Sequence, residues 1–314
     1  MKYAFVFPGQ GSQHIGMGTD LYQNFQAARD VFDEVDNALN QNLFKMMTAG
    51  SETELTLTAN AQPAIMAVSM ATVRVLEKEF GINLKEKLYF VAGHSLGEYS
   101  AACTAGVFSL ADTAKLLRKR GLAMQQAVAP GIGAMAAVIG LSQEDINGLI
   151  DASNTDEFYC VSANDNMDGQ IVLSGHVQAI DKAIDLAHEF GAKKAVKLMV
   201  SAPFHSPLMK SATPIMEKAL HEVCAQDPEI ALISNVTAQP SVTKEEIISN
   251  LTKQITGSVR WRETMAFLNG EQITDAIEIG PGNVLSNMFK RAYKNIYSTA
   301  IHTAQEIEEL ANNL

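Results

Sequence analysis

Cysteine is scarce in this sequence. The 314 residues include three cysteines, Cys103, Cys160 and Cys224, and no two of them form a C-x-x-C pair. A disulfide framework or a cysteine zinc site needs an even or closely spaced set of cysteines. The sequence therefore argues against both kinds of site and is typical of a protein that folds in a reducing compartment.

Positive charge and long apolar runs are also in short supply. The chain has 24 Lys and Arg against 35 Asp and Glu, a net charge of −11, whereas nonspecific nucleic-acid binding needs a basic surface. No apolar stretch approaches the ~18 residues of a membrane-spanning helix. The N-terminal MKYAFVFPGQGS lacks the long apolar region of a secretory signal. We therefore expect a cytoplasmic protein that binds neither nucleic acid nor membrane.

What the sequence does contain is an alternation of apolar β-rich runs with helical periodicity. This alternation is typical of an α/β protein with a mostly parallel sheet. The predicted strands are 2–7, 88–92, 232–236 and 276–279, and the predicted helices include 60–80, 111–127, 207–225 and 283–293.

The middle of the chain has a different order of elements. In sequence, the pattern predicts a strand, a helix, two strands, a helix and a strand over 133–140, 142–152, 158–164, 170–175, 177–190 and 192–200. That β-α-β-β-α-β order is ferredoxin-like. We therefore expect a small inserted domain at 128–198 and a larger domain made of 1–127 and 199–314.

The stretch LYFVAGHSLGEYSAACTAG, residues 88–106, places a serine in a sharp turn between a predicted strand and a helix. Ser95 lies between Gly93 and Gly97 in the G-x-S-x-G pattern of a nucleophile elbow. Such a turn exposes the hydroxyl and puts the backbone N–H of Leu96 at a helix N-terminus, where it can stabilise an oxyanion. The alternative is a glycine-rich turn whose serine only caps the helix.

A nucleophilic serine needs a base, and His205 is the candidate among seven histidines. It follows a predicted strand in SAPFHSP, where Ser206 and Pro207 are typical of a helix N-cap and first turn. Loops at the carboxyl ends of strands build the sites of α/β sheets, and Ser95 lies at such a position too. The alternative is a histidine that caps a helix. We expect His94 to point away from the serine and either to orient the loop or to touch substrate.

No aspartate is evident as a third member of a catalytic triad. A backbone carbonyl or an amide can orient His205 instead, and Gln254 in NLTKQITGSVRW is a candidate neighbour. The loop FPGQGSQ, residues 7–13, follows the first predicted strand. The backbone N–H of Gln10, between two glycines, is a candidate second oxyanion donor. An ordinary turn after the strand is the alternative for this loop.

Arg120 lies in the basic run KLLRKR of the helix predicted over 111–127. Its spacing from Leu116, Leu117 and Met124 puts it on their apolar stripe rather than on the solvated face. A buried arginine is costly unless an anion or several acceptors meet it, and its planar fork suits a carboxylate. The residues thus suggest a serine acyl-transfer site beside a carboxylate-binding arginine. A structural ion pair to an internal Asp or Glu is the alternative.

Six motifs together resemble the malonyl-CoA:acyl carrier protein transacylase family. They are FPGQGSQ, GHSLGEYSA, the KRG around Arg120, GQIVLSG, the APFHS around His205 and EIGPG at 278–282, in order over nearly the whole chain. The resemblance implies an α/β-hydrolase-like large domain with a parallel sheet and an inserted ferredoxin-like small domain. It also implies an acyltransferase that supplies malonyl units for fatty acid biosynthesis.

The resemblance implies a catalytic role for four matching positions. Ser95 would be the nucleophile and His205 the general base and acid. The backbone N–H groups of Gln10 and Leu96 would form the oxyanion hole. The implied reaction is a two-step transfer through a malonyl-serine ester.

The resemblance also implies residues that bind the substrate. Arg120 would hold the malonyl carboxylate, Gln254 would lie in the site near the histidine, and Asn164 would line the cleft. His94 is added as a candidate contact to substrate. The pair formed by Phe204 and the following histidine is similar to the form associated with malonyl rather than methylmalonyl units.

The implied partners are malonyl-CoA and an acidic, phosphopantetheinylated acyl carrier protein, and no metal or redox cofactor is implied. For the acidic carrier protein we expect a basic patch near the cleft that uses Lys193, Lys194, Lys290 or Arg291. Three other functions remain as alternatives: a serine esterase or thioesterase, a non-catalytic module that docks a carrier protein, and a free-standing acyltransferase of a polyketide synthase.

Overall fold

The computed structural model describes all 314 residues as a mixed α/β fold with two β-sheets. The strands are β1 Tyr3–Phe7, β2 Leu88–Gly93, β3 Gly133–Ile139, β4 Cys160–Met167, β5 Gln170–His176, β6 Lys194–Lys197, β7 Ala231–Ile233, β8 Pro240–Ser241, β9 Val259–Arg260, β10 Asp275–Ile279 and β11 Tyr297–Ile301.

The helices alternate with these strands over most of the chain. They are α1 Thr19–Asn24, α2 Gln26–Leu39, α3 Leu43–Ala49, α4 Glu52–Thr56, α5 Thr58–Lys78, α6 Leu84–Lys87, α7 Gly97–Thr104, α8 Leu110–Gln126, α9 Gln143–Ser153, α10 Val177–Leu186, α11 Thr213–Glu222, α12 Lys244–Gln254, α13 Trp261–Gly270, α14 Val284–Ala292 and α15 Ala304–Ala311. A 3₁₀ helix, Pro207–Ala212, precedes α11. None of the helices has both the length and the apolar character needed to cross a membrane.

The first sheet has the strand order β11-β10-β1-β2-β7-β8, and every pair in it is parallel except β7 with β8. Its central strand β1 is buried along its whole length. Phe5 and Phe7 pack into one core cluster, and Ala4 and Val6 pack into a second cluster on the opposite face. A strand buried on both faces reads as a continuous apolar run, which is why the sequence predicts it well.

The second sheet has the strand order β6-β3-β5-β4-β9. Its strands are antiparallel except that β4 and β9 run parallel. Helices α9 and α10 cover one face and bury Ile146, Leu149 and Ile180 beneath the sheet. β9 comes from Val259–Arg260, well after the segment 128–198, so the second sheet is completed by a later part of the chain.

Helices α5 and α8 pack closely against each other beside the first sheet. Ser109 is the N-cap residue of α8, and its hydroxyl oxygen accepts the backbone N–H of Asp112 at 3.0 Å. A Cβ on Gly121 would lie 2.6 Å from the Cα of Ala59, so only glycine permits this crossing. The approach brings the side chain of Arg120, on α8, to α5 and the first sheet.

The structure departs from the predicted elements in three places. The strand expected over 192–200 is confined to Lys194–Lys197. The helix expected over 207–225 is a 3₁₀ turn followed by α11, because Pro214 and Pro207 each start a separate helical segment. The strand expected over 232–236 ends at Ile233, which leaves Asn235 in the loop beyond it. The edge strand β11 was not predicted.

Candidate active site

Ser95 lies in a sharp turn between β2 and α7, in the predicted order of strand, turn and helix. Its φ is +53°, in the left-handed region that residues with a Cβ rarely adopt. A Cβ on Gly97 would lie 2.2 Å from the carbonyl oxygen of Phe7, and one on Gly93 would lie 2.0 Å from the backbone of Gly97. The two glycines are therefore required by close backbone approach, and the turn presents the serine hydroxyl at the carboxyl end of the sheet.

His205 contacts this hydroxyl. Its Nε2 lies 2.7 Å from Ser95 Oγ, and its Nδ1 lies 2.9 Å from the carbonyl oxygen of Gln254 and 3.2 Å from that of Gly257. Because carbonyls only accept, the hydrogen-bond network assigns the proton to Nδ1 and leaves Nε2 free to take the serine proton. Backbone carbonyls thus occupy the place that a triad aspartate would hold.

Burial, and to a smaller extent the positive charge of Arg120, lower the pKa of His205 from 6.5 to about 3. The imidazole is therefore neutral in the empty site. A neutral imidazole with a free Nε2 is the form that a general base requires.

Arg120 is 1% exposed and makes no salt bridge. Its Nη1 donates to Gln62 Oε1 at 2.9 Å, and its Nη2 donates to Gln254 Oε1 at 2.8 Å and to Ser95 Oγ at 3.1 Å. Its Nε has no partner. Arg120 therefore forms no salt bridge to an internal Asp or Glu, and its three hydrogen-bond acceptors are neutral, although the buried Glu98 carboxyl group interacts with it at longer range. Its positive charge lines the cavity beside the nucleophile.

A cavity of about 190 Å³ opens in front of these groups. Its wall combines the serine turn that follows β2 of the first sheet with two strands of the second sheet, since Met135 belongs to β3 and Asn164 to β4. Seven of the eight predicted site residues line it: Ser95, His205, Gln10, Leu96, Arg120, Asn164 and His94.

Gln254 is the predicted residue that does not line the cavity. It is fully buried behind Arg120 and Ser95, and it donates from Nε2 to the carbonyl oxygen of Ser95 at 2.9 Å. Its place is therefore behind the reacting groups, where it holds the arginine, the serine backbone and His205, rather than on the surface that a substrate touches.

The two backbone N–H groups expected to form the oxyanion hole, those of Gln10 and Leu96, have no hydrogen-bond partner within the chain. Leu96 is the N-cap residue of α7, and the loop that carries Gln10 packs against the turn, since His94 N donates to the carbonyl of Phe7 at 2.9 Å. Gln10 and Leu96 line the same cavity as Ser95, so their unpaired N–H groups are the candidate oxyanion donors.

His94 both lines the cavity and anchors the turn. Its Nε2 lies 2.9 Å from Oδ1 of Asn166 on β4, and burial lowers its pKa. Its ring also meets the edge of Trp261 at 5.8 Å between centroids. The imidazole therefore points away from the Ser95 hydroxyl, as expected, and joins the turn to the second sheet.

Three buried polar residues around the site were missed by sequence reasoning: Gln62, Glu98 and Asn235. Asn235 Oδ1 accepts from Ser95 N at 2.8 Å, and Glu98 Oε2 accepts from Gln254 Nε2 at 2.7 Å. Glu98 had a usable signal, because it lies three residues after Ser95 in the first turn of a helix whose other residues are small or apolar. Asn235 and Gln62 carry no local signal.

No group of three or more His, Cys, Asp and Glu side chains is arranged to hold a metal ion. The candidate chemistry rests on the serine, the histidine, the free N–H groups and the arginine. Together these can acylate a serine with a substrate that carries a carboxylate.

A family model described as an acyl transferase domain matches residues 4–312. The malonyl CoA-acyl carrier protein transacylase of Bacillus subtilis (strain 168) is 42% identical over 307 residues, which cover 98% of this chain and 95% of that protein. The protein of the same name from Staphylococcus aureus (strain MRSA252) is 36% identical over 98% of this chain and 97% of its own.

Solved structures of malonyltransferases are also similar to this chain over its full length. The acyl-carrier-protein-S-malonyltransferase of Bartonella henselae superposes with a TM-score of 0.97 at 51% identity, over 100% of this chain and 99% of that one. A malonyl-transacylase solved in complex with its type II PKS acyl-carrier protein gives 0.95 at 34% identity, over 100% of both chains. The chain therefore belongs to the acyl transferase domain family and, within it, to the malonyl CoA-acyl carrier protein transacylases.

Proposed function

We propose that the protein transfers the malonyl group of malonyl-CoA to the phosphopantetheine thiol of an acyl carrier protein, with Ser95 as the carrier of the acyl group. The observation that supports this most directly is the buried, unpaired charge of Arg120 at 3.1 Å from Ser95 Oγ. A hydrolase of simple esters has no use for such a group, whereas a dicarboxylic acyl unit supplies its counter-charge.

The first half-reaction forms the malonyl-serine ester. His205 Nε2 takes the hydroxyl proton as Ser95 Oγ bonds to the thioester carbon. The N–H groups of Gln10 and Leu96 stabilise the oxyanion, each by about 3 kcal/mol. The carbon–sulfur bond then breaks, and the imidazolium returns its proton to the departing CoA sulfur.

Arg120 selects the acyl unit in this step. A malonyl carboxylate can accept from the guanidinium, which in the empty site is held by two glutamine oxygens and the serine hydroxyl. An acetyl group leaves the charge buried without an anion, which is the less favourable complex.

The second half-reaction reverses the first with a different thiol. The phosphopantetheine sulfur gives its proton to His205 and bonds to the ester carbon, the carbon–Oγ bond breaks, and the proton returns to Ser95. The buried position of the ester limits attack by water. The product is malonyl-carrier protein, which supports a role in supplying malonyl units for fatty acid biosynthesis, and a polyketide pathway would use the same chemistry.

For the architecture we propose an α/β-hydrolase-like domain formed by 1–127 and 199–314, with a ferredoxin-like domain at 128–198. The parallel first sheet with its serine turn supports the former, and the antiparallel order β6-β3-β5-β4 supports the latter. We place the protein in the cytoplasm, in keeping with its three unpaired cysteines.

Intact-protein mass after mixing with malonyl-CoA tests the proposal. We expect a malonyl adduct on the native protein, none on Ser95→Ala, and removal of the adduct by holo-acyl carrier protein with formation of malonyl-carrier protein. Steady release of CoA without an adduct or a carrier product would instead identify a thioesterase. Neither adduct nor CoA release would leave only a docking module.

A further inference from the structure

A single amide group closes the turn that carries the nucleophile. Asn235 Nδ2 donates to the carbonyl oxygen of Gly93 at 2.6 Å, and its Oδ1 accepts from the backbone N–H of Ser95 at 2.8 Å. The two backbone groups belong to opposite sides of the turn in which Ser95 has φ +53°. A left-handed serine persists only where its surroundings hold it, and Asn235 supplies two such contacts.

A buried carboxyl group anchors this amide and one other. Glu98 is fully buried, and its Oε2 accepts from the backbone N–H of Asn235 at 3.1 Å and from Gln254 Nε2 at 2.7 Å. The carbonyl oxygen of Gln254 is the closer acceptor of His205 Nδ1, at 2.9 Å. One carboxyl oxygen therefore connects the loop that holds the serine to the helix end that holds the histidine.

We infer that Asn235 and Glu98 are positioning residues that fix the geometry between Ser95 Oγ and His205 Nε2, although neither touches the substrate. The inference rests on the proposed function, because its readout is acylation of Ser95. A displacement of about 1 Å between reacting groups can cost roughly 100-fold in rate. Removal of the Asn235 or Glu98 side chain therefore lowers the rate of acylation rather than the affinity for malonyl-CoA.

The protein contains a matched control for a purely structural buried carboxyl group. Glu278 is also fully buried, its Oε2 accepts the backbone N–H of Ser286 at 2.8 Å, and its Oε1, like that of Glu98, has no partner. Glu278 caps the first turn of α14 and makes no hydrogen bond to the serine turn or to His205.

The test compares Asn235→Ala, Glu98→Ala, Glu98→Gln and Glu278→Ala by rapid-quench intact mass over a range of malonyl-CoA concentrations. We expect Asn235→Ala and Glu98→Ala to lower the maximal acylation rate by about 100-fold with little change in the half-saturating concentration. Glu98→Gln keeps an oxygen for both donors, so it restores the native rate. Glu278→Ala lowers the melting temperature and leaves the acylation rate of the folded fraction unchanged.

Folded Asn235→Ala that acylates at the native rate would overturn the inference. So would a fall in rate that Glu278→Ala shares once both are corrected for the folded fraction. If Asn235→Ala does not fold, the comparison of Glu98→Ala with Glu98→Gln tests the inference. Equal acylation rates in these two variants would count against a positioning role. If the native protein itself forms no adduct, the proposed function fails first, so the two failures are distinguishable.

Discussion

Arg120 determines the behaviour of both reacting side chains in the empty site. It donates to the Ser95 hydroxyl at 3.1 Å and helps to lower the pKa of His205. Both effects weaken when a substrate carboxylate takes up the guanidinium and balances its charge. We therefore expect the arginine to favour acylation by acyl units that carry a carboxylate over acylation by those that do not.

Arg120→Ala should lower the acylation efficiency with malonyl-CoA by about 2–5 kcal/mol, the usual cost of removing one partner of a buried charge pair. Acylation by acetyl-CoA should not fall, because no buried charge is left unpaired. The measurement is the ratio of initial acylation rates with the two thioesters. Arg118→Ala is the control, since Arg118 lies on the same helix and bonds Asn60 and Gln41 instead. An equal loss with both thioesters would contradict the assignment.

The acylation rate should fall less at acidic pH than that of an enzyme whose general base is a histidine of normal pKa. A base with a pKa near 6.5 loses about tenfold in kcat/KM at pH 5.5, but the pKa of His205 is lowered to about 3. We therefore expect a flat profile of kcat/KM between pH 7.5 and 5.5. The same shift links the free energy of unfolding to pH. The contribution of the neutral His205 to stability is complete above pH 6.5 and is progressively lost as the pH falls towards 3. A break in the kinetic profile near pH 6.5 would show that the histidine titrates normally.

The protonation of Glu98 changes stability with pH in the opposite direction to that of His205. Burial raises its pKa from 4.5 to about 7, so the folded state favours the protonated form and stability is lost as pH rises from 4.5 through 7. Glu98→Gln cannot ionise and should gain stability relative to the native protein at pH 8 but not at pH 5. Urea unfolding at the two pH values measures this. A stability difference that does not change with pH would contradict the raised pKa.

Sequence and structure agree on the residues whose signal is local. Ser95 was found from its flanking glycines, and Arg120 from its place on an apolar helical stripe. Asn235 was missed because its role comes from contacts to Gly93 and Ser95, which lie 142 and 140 residues away in sequence. Gln254 was predicted among the substrate-binding residues near His205, and the structure places its side chain behind Arg120 and Ser95. Which way a buried amide points depends on tertiary packing that no local pattern encodes.

Among the elements, α8 owes its position to one glycine. Gly121→Ala would place a Cβ 2.6 Å from the Cα of Ala59 and 2.8 Å from the carbonyl oxygen of Thr58, so α8 must shift away from α5. Overpacking of this kind costs about 1–3 kcal/mol, and the shift should displace Arg120 as well. We expect a lower melting temperature and slower malonyl acylation.

Gly270→Ala is the control for this helix contact, because a Cβ there meets nothing within 4 Å. Differential scanning calorimetry and the acylation assay on both variants give the comparison. Equal melting temperatures would show that α8 can accommodate the extra methyl group.

The elements of the first sheet were predicted where strands are buried on both faces, as in β1. The edge strand β11 was missed because its sequence YSTAI is half polar and its first residue, Tyr297, is 63% exposed. The two-residue strand β9 is too short for any periodicity. The split of the helix expected over 207–225 has a local cause that the apolar periodicity does not register, because Pro207 and Pro214 each start a helical segment.

At the scale of the whole molecule, a net charge of −11 must be reconciled with an acidic carrier protein. Lys193, Lys194, Lys290 and Arg291 are exposed and form no salt bridge, so their charges are available to a partner. The docking patch expected from the sequence stays a prediction.

Reversing Lys193 and Lys194 to Glu should slow the transfer step to holo-acyl carrier protein and leave the acylation step unchanged, because malonyl-CoA reaches the serine without the carrier. Single-turnover kinetics of each half-reaction separate the two. Transfer to free pantetheine is the control and should be unaffected. Unchanged transfer to the carrier at low salt would place the docking surface elsewhere.

β9 has a practical consequence for protein engineering. Its two residues pair with Asn164 and Asp165 of β4, its Arg260 N–H donates to the carbonyl of Asn235 at 2.9 Å, and it follows Gly257, the second acceptor of His205. In a chimera that takes only 128–198 from a relative, β4 comes from the relative and β9 from the recipient. The two strands would then meet as a non-native pair next to the backbone that holds the histidine. An exchange that also carries 257–260 keeps the native pairing of β9 with β4.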